Sequence, residues 1–406
     1  MQSSLGRLYA LAPRGASLGL ERMQAACALF GNPERAFEVV HVAGTNGKGT
    51  VCALTASMLQ ASGMKVGLYT SPHLCRFAER IVINSAPIAD AELDSILTEV
   101  LNRAPDLTFF EAATLTAFIA FQRAGVQVAV LEVGLGGRLD ATNVIPPPKV
   151  AAITRIAFDH MTELGDTLAK IGAEKAGIIK SGTHVVLGKV HPEARAVIEA
   201  RIAEVGATLL ELGEPEPYPG AQLAYPRVAM LGTNLAVANT VVRHFNIDPE
   251  VMAHGIEQSS WAGRNELLHR GGQELTLLDC AHNPDGAVML SHIIEASVSE
   301  AMGSRRNVAL VFGAKQGKNW TAMLERLSNC TGHRVYVAPP IDGAVPPETM
   351  QQRFPGEIAP SIPAALDRAR SLVGPRGLVV VTGSTFLVGA ARAALLGLPC
   401  DPAIAL

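Results

Sequence analysis

Apolar segments of β-type alternate with segments of helical periodicity along this 406-residue chain, and the alternation restricts the folds open to it. Strands that are apolar throughout are buried on both faces, so the pattern predicts parallel sheets covered by helices. The predicted strands are residues 38–43, 65–70, 126–134, 149–156 and 184–188, followed by 274–279, 307–313, 334–339 and 377–383. Helices that end at a capping glycine are predicted over residues 50–63, 110–125 and 191–206.

Between the two series of strands lies the segment 259–273, which we take as the separator of two domains, residues 1–262 and 263–406. The alternating piece "RIVINSAPI" (80–88) predicts a hairpin arm that lies over the functional site. "GEPEPYPG" (213–220) predicts a proline-rich surface loop. The expected fold class is α/β.

The composition excludes several classes of protein. Hydrophobic residues make up 48% and charged residues 17%, with a net charge of −3 and no run of Lys or Arg, so we expect no nucleic-acid partner. No apolar stretch approaches the roughly 18–20 residues of a membrane span, and the N-terminus has no long apolar signal region. Six scattered cysteines without a Cys-x-x-Cys pair indicate reduced thiols. We expect a cytoplasmic protein that has no membrane partner.

The stretch "VHVAGTNGKGTV" (40–51) runs from a strand into glycines and a lysine. It departs from the usual phosphate-binding loop, because Val42 replaces the first glycine and Gly49 separates Lys48 from the hydroxyl of Thr50. Free backbone N–H groups at the start of a helix nevertheless suit a phosphate, and Lys48 adds a positive charge. The structural alternative is a plain glycine-rich turn.

Polar residues follow three of the predicted strands. Ser71 follows the second strand, Glu132 closes an apolar strand, and His160 lies just past another. Ligands bind at the carboxyl ends of such strands, and Mg²⁺ with ATP phosphates typically uses one or two protein carboxylates. The alternatives are that Ser71 caps a helix that begins at Pro72, that Glu132 is solvated beside a glycine-rich turn, and that His160 is satisfied structurally.

Lys175 lies in a predicted helix, where a surface lysine is the default interpretation. In the second series, "LLDCAHNPDGA" (277–287) places Asp279 at a strand end and His282 in the turn. Asp279 would suit a ribose hydroxyl and His282 a phosphate. Turn chemistry is the alternative, since Asn283 and the proline after it are typical of a helix cap and first helical residue.

These pieces occur in an order that resembles the folylpolyglutamate synthase and dihydrofolate synthase family, a branch of the Mur-ligase-like ATP-dependent amide ligases. The resemblance extends from about Gly19 to Gly389. It is carried by "GLER" (19–22), "HVAGTNGKGT" (41–50), "GLYTSPHL" (67–74), "FFEAAT" (109–114), "EVGLGGRLDATNV" (132–144), "DHMTELGDT" (159–167), "EKAGIIK" (174–180), "WAGR" (261–264), "DCAHNPDGA" (279–287), "VFGAKQGK" (311–318) and "VTGS" (381–384).

The resemblance implies a P-loop-type, mainly parallel ATP-binding domain (1–262) followed by a smaller Rossmann-like glutamate-ligase domain (263–406). It also implies a role for particular residues. The implied ATP-binding residues are Gly44, Thr45, Asn46, Gly47, Lys48, Gly49, Thr50, Asn234, Arg264 and Asp279. The implied ligands to two Mg²⁺ ions are Ser71 and Glu132 for the first and His160 for the second, and the implied catalytic residues are Lys48, Lys175 (as a carbamate formed with CO₂) and His282.

Phe110 and Asp140 fall where the family contacts the pterin side of its substrate. For Phe110 the alternative is ordinary packing at a helix start, and for Asp140 it is a cap on the turn that follows. The sequence departs from the family at Ala262, where proline is usual, and at Gly317 and Asn319, where acidic residues are usual.

By resemblance, the expected enzyme is a monomer that adds L-glutamate to folates, and also to dihydropteroate, through an acyl phosphate made with ATP. One alternative is a cell-wall Mur ligase, although such chains usually carry a further N-terminal domain and only 37 residues precede Glu38 here. Another is a non-catalytic nucleotide-binding module. Glu132, His160 and Lys175 together argue against that module, because binding alone has little need of a second metal.

Overall fold

The protein divides into two compact units. The computed structural model describes residues 3–12, 19–213, 225–270, 274–298 and 304–402. The first unit comprises Met1–His73 and Phe77–Ser260, and the second comprises Leu74–Arg76 and Trp261–Ala405. In the described part of the chain, no helix has the length and apolar character needed to cross a membrane.

The first unit contains an eight-stranded sheet. Its strands are β1 (Glu38–Ala43), β2 (Val66–Tyr69), β3 (Ile81–Ile83), β4 (Ala86–Pro87), β5 (Val128–Glu132), β6 (Val150–Ile153), β7 (His184–Leu187) and β8 (Thr208–Leu210). They lie in the order β4-β3-β2-β5-β1-β6-β7-β8, and all neighbours from β2 to β8 are parallel. The parallel sheet predicted from the sequence is confirmed.

Helices precede or follow most of these strands. They are α1 (Ser4–Tyr9), α2 (Glu21–Leu29), α3 (Lys48–Ala61), α4 (Asp90–Arg103), α5 (Phe109–Ala124), α6 (Met161–Leu164), α7 (Leu168–Ala176), α8 (Pro192–Val205), α9 (Tyr225–Arg243) and α10 (Pro249–Gln258). The predicted C-caps of α5 and α8 are confirmed, since Gly125 and Gly206 both adopt the left-handed conformation there. Helix α9 is interrupted at Gly232, whose backbone is not helical.

The predicted hairpin exists, but its position differs from the prediction. β3 and β4 pair antiparallel around a turn at Asn84 and Ser85, which both have positive φ. β3 also pairs antiparallel with β2, so the hairpin extends the sheet at its edge instead of lying over the site. The apolar alternation of residues 80–88 identifies a strand but does not specify which neighbour it pairs with.

The second unit contains a six-stranded sheet in the order β13-β12-β11-β14-β10-β9. Its strands are β9 (Glu266–Arg270), β10 (Glu274–Leu278), β11 (Val308–Phe312), β12 (His333–Tyr336), β13 (Glu357–Ile358) and β14 (Leu378–Thr382). Its helices are α11 (Pro284–Ser297), α12 (Trp320–Leu327), α13 (Pro347–Arg353), α14 (Ile362–Val373) and α15 (Thr385–Leu396).

Strand β9 was not predicted from the sequence, because it lies within the segment 259–273 that was interpreted as a separator of two domains. β9 is an edge strand held by its antiparallel ladder with β10, and Leu267 on it is exposed. A short edge strand of this kind lacks the apolar run of the central strands. Of the predicted proline-rich loop, residues 214–220 lie outside the described residues.

Helix α3, which begins at the predicted phosphate loop, is held by close packing against α10. A Cβ placed on Gly255 of α10 would lie 2.5 Å from the Cα of Met58 in α3. The hydroxyl of Ser57 also donates to the Gly255 carbonyl over 2.7 Å. The glycine therefore allows the two helix backbones to touch.

We predict that Gly255→Ala destabilises the protein. In most helix interiors alanine is favoured over glycine by about 1 kcal/mol. Here the added methyl meets main-chain atoms of α3, so the free energy of unfolding should fall by about 1–3 kcal/mol. Urea unfolding measures the change, with the exposed Glu257→Ala on the same helix as a control. A more stable Gly255→Ala protein would contradict the close packing.

Candidate active site

The carboxyl ends of four neighbouring parallel strands bring the predicted site residues of the first unit to one edge of its sheet. β2, β5, β1 and β6 are adjacent in that order. Ser71 follows β2, Glu132 ends β5, Gly44 follows β1 and Thr154 follows β6. The sheet topology therefore collects residues from four separate segments of the sequence.

The loop between β1 and α3 has the shape of an anion-binding turn. Gly44 and Gly47 have φ values of +152° and +88°, which favour glycine. Gly47 caps α3, and Lys48 is the first helical residue. The Lys48 ammonium donates to the carbonyl oxygens of Gly44 (3.1 Å) and Thr45 (3.3 Å). A helix start with a lysine folded over it can hold a phosphate.

Two side chains border this loop. A Cβ placed on Gly47 would lie 2.4 Å from Oδ1 of Asn234, so Asn234, for which the family resemblance implies a role on the nucleotide, contacts the loop directly. A Cβ on Gly44 would lie 1.9 Å from Oγ1 of Thr154. Thr154 was not among the site residues predicted from the sequence. The feature that could have identified Thr154 is the one that identified Glu132, namely a polar residue at the end of an apolar parallel strand.

Lys175 is buried in α7 and reaches the same loop. Only 3% of it is exposed, and its ammonium donates to the Gly44 carbonyl over 3.0 Å. Burial and, to a smaller extent, the nearby positive charge of Lys48 together lower the pKa of Lys175 to about 7. The surface-lysine interpretation is therefore wrong.

Helix α7 is held in place by the glycine-rich turn after β5. The backbone N–H of Arg138 donates to the Glu174 carbonyl over 2.9 Å. The Asn143 amide donates to the carbonyls of Arg138 (3.0 Å) and Gly177 (3.1 Å). A Cβ on Gly137 would lie 2.9 Å from the Glu174 carbonyl oxygen. The turn glycines thus permit a close approach to α7, and this fixes the position of Lys175.

Glu132 and Ser71 form a pair beside the loop. Glu132 is 5% exposed, and its Oε2 accepts a hydrogen bond from the backbone N–H of Ser71 over 3.1 Å. His160 is exposed and caps the short helix α6 with a φ of +49°. Among the described residues, no three His, Cys, Asp or Glu side chains converge as metal ligands.

This donor set fits Mg²⁺, which usually takes one or two protein oxygen ligands and completes its shell with phosphate oxygens and water. The carboxylate of Glu132 and the hydroxyl of Ser71 are oxygen ligands of the required kind. They do not form the closed protein cage that a structural metal needs.

Phe110 and Asp140 both border Gly134. A Cβ on Gly134 would lie 2.5 Å from the ring of Phe110, and Asp140 accepts a hydrogen bond from the Gly134 backbone. Asp140 also accepts from the N–H of Leu135 (2.9 Å) and from the N–H and hydroxyl of Thr142 (3.0 and 2.5 Å). Burial raises its pKa, and these hydrogen bonds oppose the rise. Asp140 is therefore a cap as well as a candidate substrate contact.

In the second unit, Asp279 follows β10 and accepts hydrogen bonds from the N–H groups of Asn265 (3.1 Å) and Ala281 (2.9 Å). Burial raises its pKa, and the Arg264 guanidinium opposes that rise. Nδ1 of His282 is 2.9 Å from the Cys280 carbonyl. Because a carbonyl only accepts, Nδ1 of His282 carries a proton in this contact. The predicted cap at Asn283 is confirmed.

Comparisons with known proteins agree on one family. The model of the Mur ligase middle domain matches residues 42–201. The chain is 34% identical to the folylpolyglutamate synthase of Lacticaseibacillus casei, covering 91% of this chain and 92% of that protein. It is 31% identical to the dihydrofolate synthase/folylpolyglutamate synthase of Escherichia coli, covering 95% and 93%.

A solved structure of the bifunctional folylpolyglutamate synthase/dihydrofolate synthase from Yersinia pestis, complexed with AMPPNP and Mn ion, superposes with a TM-score of 0.83. The identity is 30%, over 96% of this chain and 97% of that one. The relatives match both series of strands and not only the phosphate loop. The chain belongs to the folylpolyglutamate synthase and dihydrofolate synthase family of ATP-dependent ligases.

Proposed function

We propose that this enzyme uses ATP to join L-glutamate to the terminal carboxylate of folates, and that it also converts dihydropteroate to dihydrofolate. The observation that carries the proposal is the Lys48 ammonium folded over the loop after β1, where it donates to the carbonyls of Gly44 and Thr45. A cation at a helix start, beside the buried carboxylate of Glu132, suits a phosphoryl group in transfer.

The chemistry requires activation of a carboxylate, which is a poor electrophile in water. The γ-phosphoryl group of ATP passes to a carboxylate oxygen, giving an acyl phosphate and ADP. The amine of glutamate then attacks the acyl carbon, and phosphate leaves from the tetrahedral intermediate. Lys48 exchanges the carbonyls of Gly44 and Thr45 for phosphate oxygens, which carry more negative charge.

Ser71 and Glu132 would hold one Mg²⁺ and His160 a second. Bound Mg²⁺ supplies charge neutralisation on the phosphate oxygens. In the second unit, the family resemblance assigns Arg264 and Asp279 to the nucleotide and His282 to the reacting phosphate. Asn234, which belongs to the first unit, contacts the phosphate loop and binds the nucleotide together with that loop.

Lys175 serves as a carbamate. Its neutral amine attacks CO₂, forms a nitrogen–carbon bond and releases a proton, which converts a cation into an anionic oxygen group. The lowered pKa of Lys175, about 7, supports this role because the amine is then neutral in a large fraction of molecules. An ordinary lysine near pKa ~10.4 would be almost entirely protonated.

Phe110 and Asp140 bind the pterin ring, Phe110 by stacking and Asp140 by accepting from its amino group. Their common contact with Gly134 places both side chains at one position, which supports a shared ligand. A pterin site is needed most for dihydropteroate, which has no glutamate tail to contribute binding. Mass spectrometry of products made from dihydropteroate and from tetrahydrofolate tests the two activities directly.

Lys48→Ala should lower ATP-dependent ligation by about 10²–10³-fold or more, because phosphate-clamping groups have effects of this size. The fold should survive, as measured by circular dichroism. The exposed Lys65→Ala in the same unit serves as the matched control. Near wild-type turnover of Lys48→Ala would remove the loop from the active site.

Lys175→Ala should lower the ligase activity about 10–100-fold or more, because removal of a group that supports a metal site has effects of this size. Added acetate should restore part of it, while the exposed Lys170→Ala on the same helix should behave as wild type. In the wild-type enzyme, carbamate formation on Lys175 should fall as the pH drops below the Lys175 pKa of about 7, because protonation removes the lone pair of the amine. NMR with ¹³CO₂ reads the carbamate; its absence above pH 8 would refute the assignment.

Asp140→Ala should damage ligation of dihydropteroate about 10–100-fold more than extension of tetrahydrofolate, since it removes a charged hydrogen-bond acceptor from the pterin site. Thr142→Val removes one donor to Asp140 but keeps the carboxylate, so the ratio of the two activities should not change. Equal loss of both activities in Asp140→Ala would leave Asp140 with its capping role alone.

A further inference from the structure

Thr154 contacts the phosphate loop through its side chain. It follows β6 directly and is 2% exposed. Its hydroxyl donates to the Asn46 carbonyl over 2.8 Å and lies 3.3 Å from the Ala43 carbonyl. The backbone N–H of Thr154 donates to the same Ala43 carbonyl over 2.9 Å. One buried residue thus bonds to the loop where it begins and again at its centre.

The fit between Thr154 and the loop requires glycine at position 44. Oγ1 of Thr154 occupies space 1.9 Å from where a Cβ on Gly44 would be. The loop and the segment after β6 are therefore in direct contact. Any residue with a side chain at position 44 would displace the Thr154 hydroxyl.

The residues after Thr154 continue this contact. The N–H of Thr45 donates to the Arg155 carbonyl over 2.7 Å, and Asn46 forms an isolated antiparallel bridge with Arg155. The hydroxyl of Thr45 lies 3.1 Å from both the N–H and the carbonyl of Ala157. Within this strip, Thr154 contributes the side-chain hydrogen bond to the Asn46 carbonyl.

That hydrogen bond sets the direction of one peptide group. In a trans peptide the C=O and the following N–H point in opposite directions. When the Asn46 carbonyl is held against Thr154, the N–H of Gly47 points away from Thr154. Without the hydroxyl, the peptide between Asn46 and Gly47 could rotate, because a glycine follows it.

We propose that Thr154 is a positioning residue for the nucleotide phosphates: its hydroxyl orients the Asn46–Gly47 peptide so that the N–H of Gly47 faces the phosphate. The inference rests on the proposed binding of phosphates by this loop. Thr154 acts through the main chain of the loop, to which its hydroxyl is bonded.

The test compares Thr154→Val, which keeps the shape and loses the hydroxyl, with Thr154→Ser, which keeps the hydroxyl. Titration calorimetry with ADP and Mg²⁺ gives Kd, and steady-state kinetics gives kcat and the KM values for ATP and glutamate. Thr154→Val should raise Kd for ADP and KM for ATP about 5- to 30-fold, because binding must then turn the Asn46–Gly47 peptide back at a cost on the order of one hydrogen bond. The KM for glutamate should stay within about two-fold and Thr154→Ser should resemble wild type.

Thr183→Val is the matched control, because Thr183 is fully buried and its hydroxyl has no hydrogen-bond partner among the described residues. It should leave Kd for ADP unchanged. A destabilised but correctly shaped site would lower kcat through the folded fraction without moving Kd. If Thr154→Val does not fold, Thr154→Ala provides the same test, because alanine also lacks the hydroxyl and has a smaller side chain.

Wild-type affinity for ADP in a folded Thr154→Val protein would overturn the inference, as would an equal loss in Thr154→Ser. Lys48→Ala in the same assay separates this failure from that of the proposed function. If Lys48→Ala loses ADP affinity and Thr154→Val does not, only the role of Thr154 is wrong. If both bind ADP as wild type does, the loop does not bind the phosphates.

Discussion

The buried hydrogen bond from Lys175 to the Gly44 carbonyl is the contact on which the rest of the site depends. An ammonium group is costly to bury, and this one has a main-chain oxygen as its acceptor and a second lysine nearby. The cost appears as a pKa near 7 for a residue that would be fully charged in water. Helix α7 must therefore lie where its lysine meets the loop after β1, and the glycine-rich turn after β5 keeps it there.

Lys175 and Gly44 lie 131 residues apart in the sequence. Packing around the glycine-rich turn after β5 brings the two residues together in space. Gly137 lets the turn approach the end of α7, and the Asn143 amide bonds to main-chain oxygens on both sides. A buried amide with two such acceptors fixes both segments at once, whereas apolar contacts alone would allow them to slide. The Lys175 ammonium is thus positioned mainly by hydrogen bonds to main-chain oxygens.

The sequence predicted the central strands and the helix caps because those depend on local chemistry. β1, β5 and β6 are apolar runs, and Gly125 marks the end of α5 by its freedom to adopt positive φ. It did not predict β9, whose place is set by pairing with β10, or the sheet position of the β3–β4 hairpin. Pairing partners are non-local, and short alternating segments fit several of them.

For the site, the sequence indicated residues whose chemistry conflicts with their surroundings, such as Glu132 at the end of an apolar strand. It could not show that Lys175 is buried, because a lysine in an amphipathic helix is compatible with either face. It also missed Thr154, since threonine is common in strands and its hydrogen bond to Asn46 depends on a loop 108 residues away. Burial and partners required the three-dimensional structure.

The two edge strands of the eight-stranded sheet are short, and this affects how readily the protein aggregates in a crowded solution. An exposed sheet edge offers unpaired N–H and C=O groups on which another chain can add a strand and begin to aggregate. β4 at one edge has two residues, one of them Pro87, which has no N–H to offer, and β8 at the other edge has three. An incoming strand would find a ladder too short to hold it, so the protein keeps a large apolar sheet while giving misfolded neighbours little to pair with.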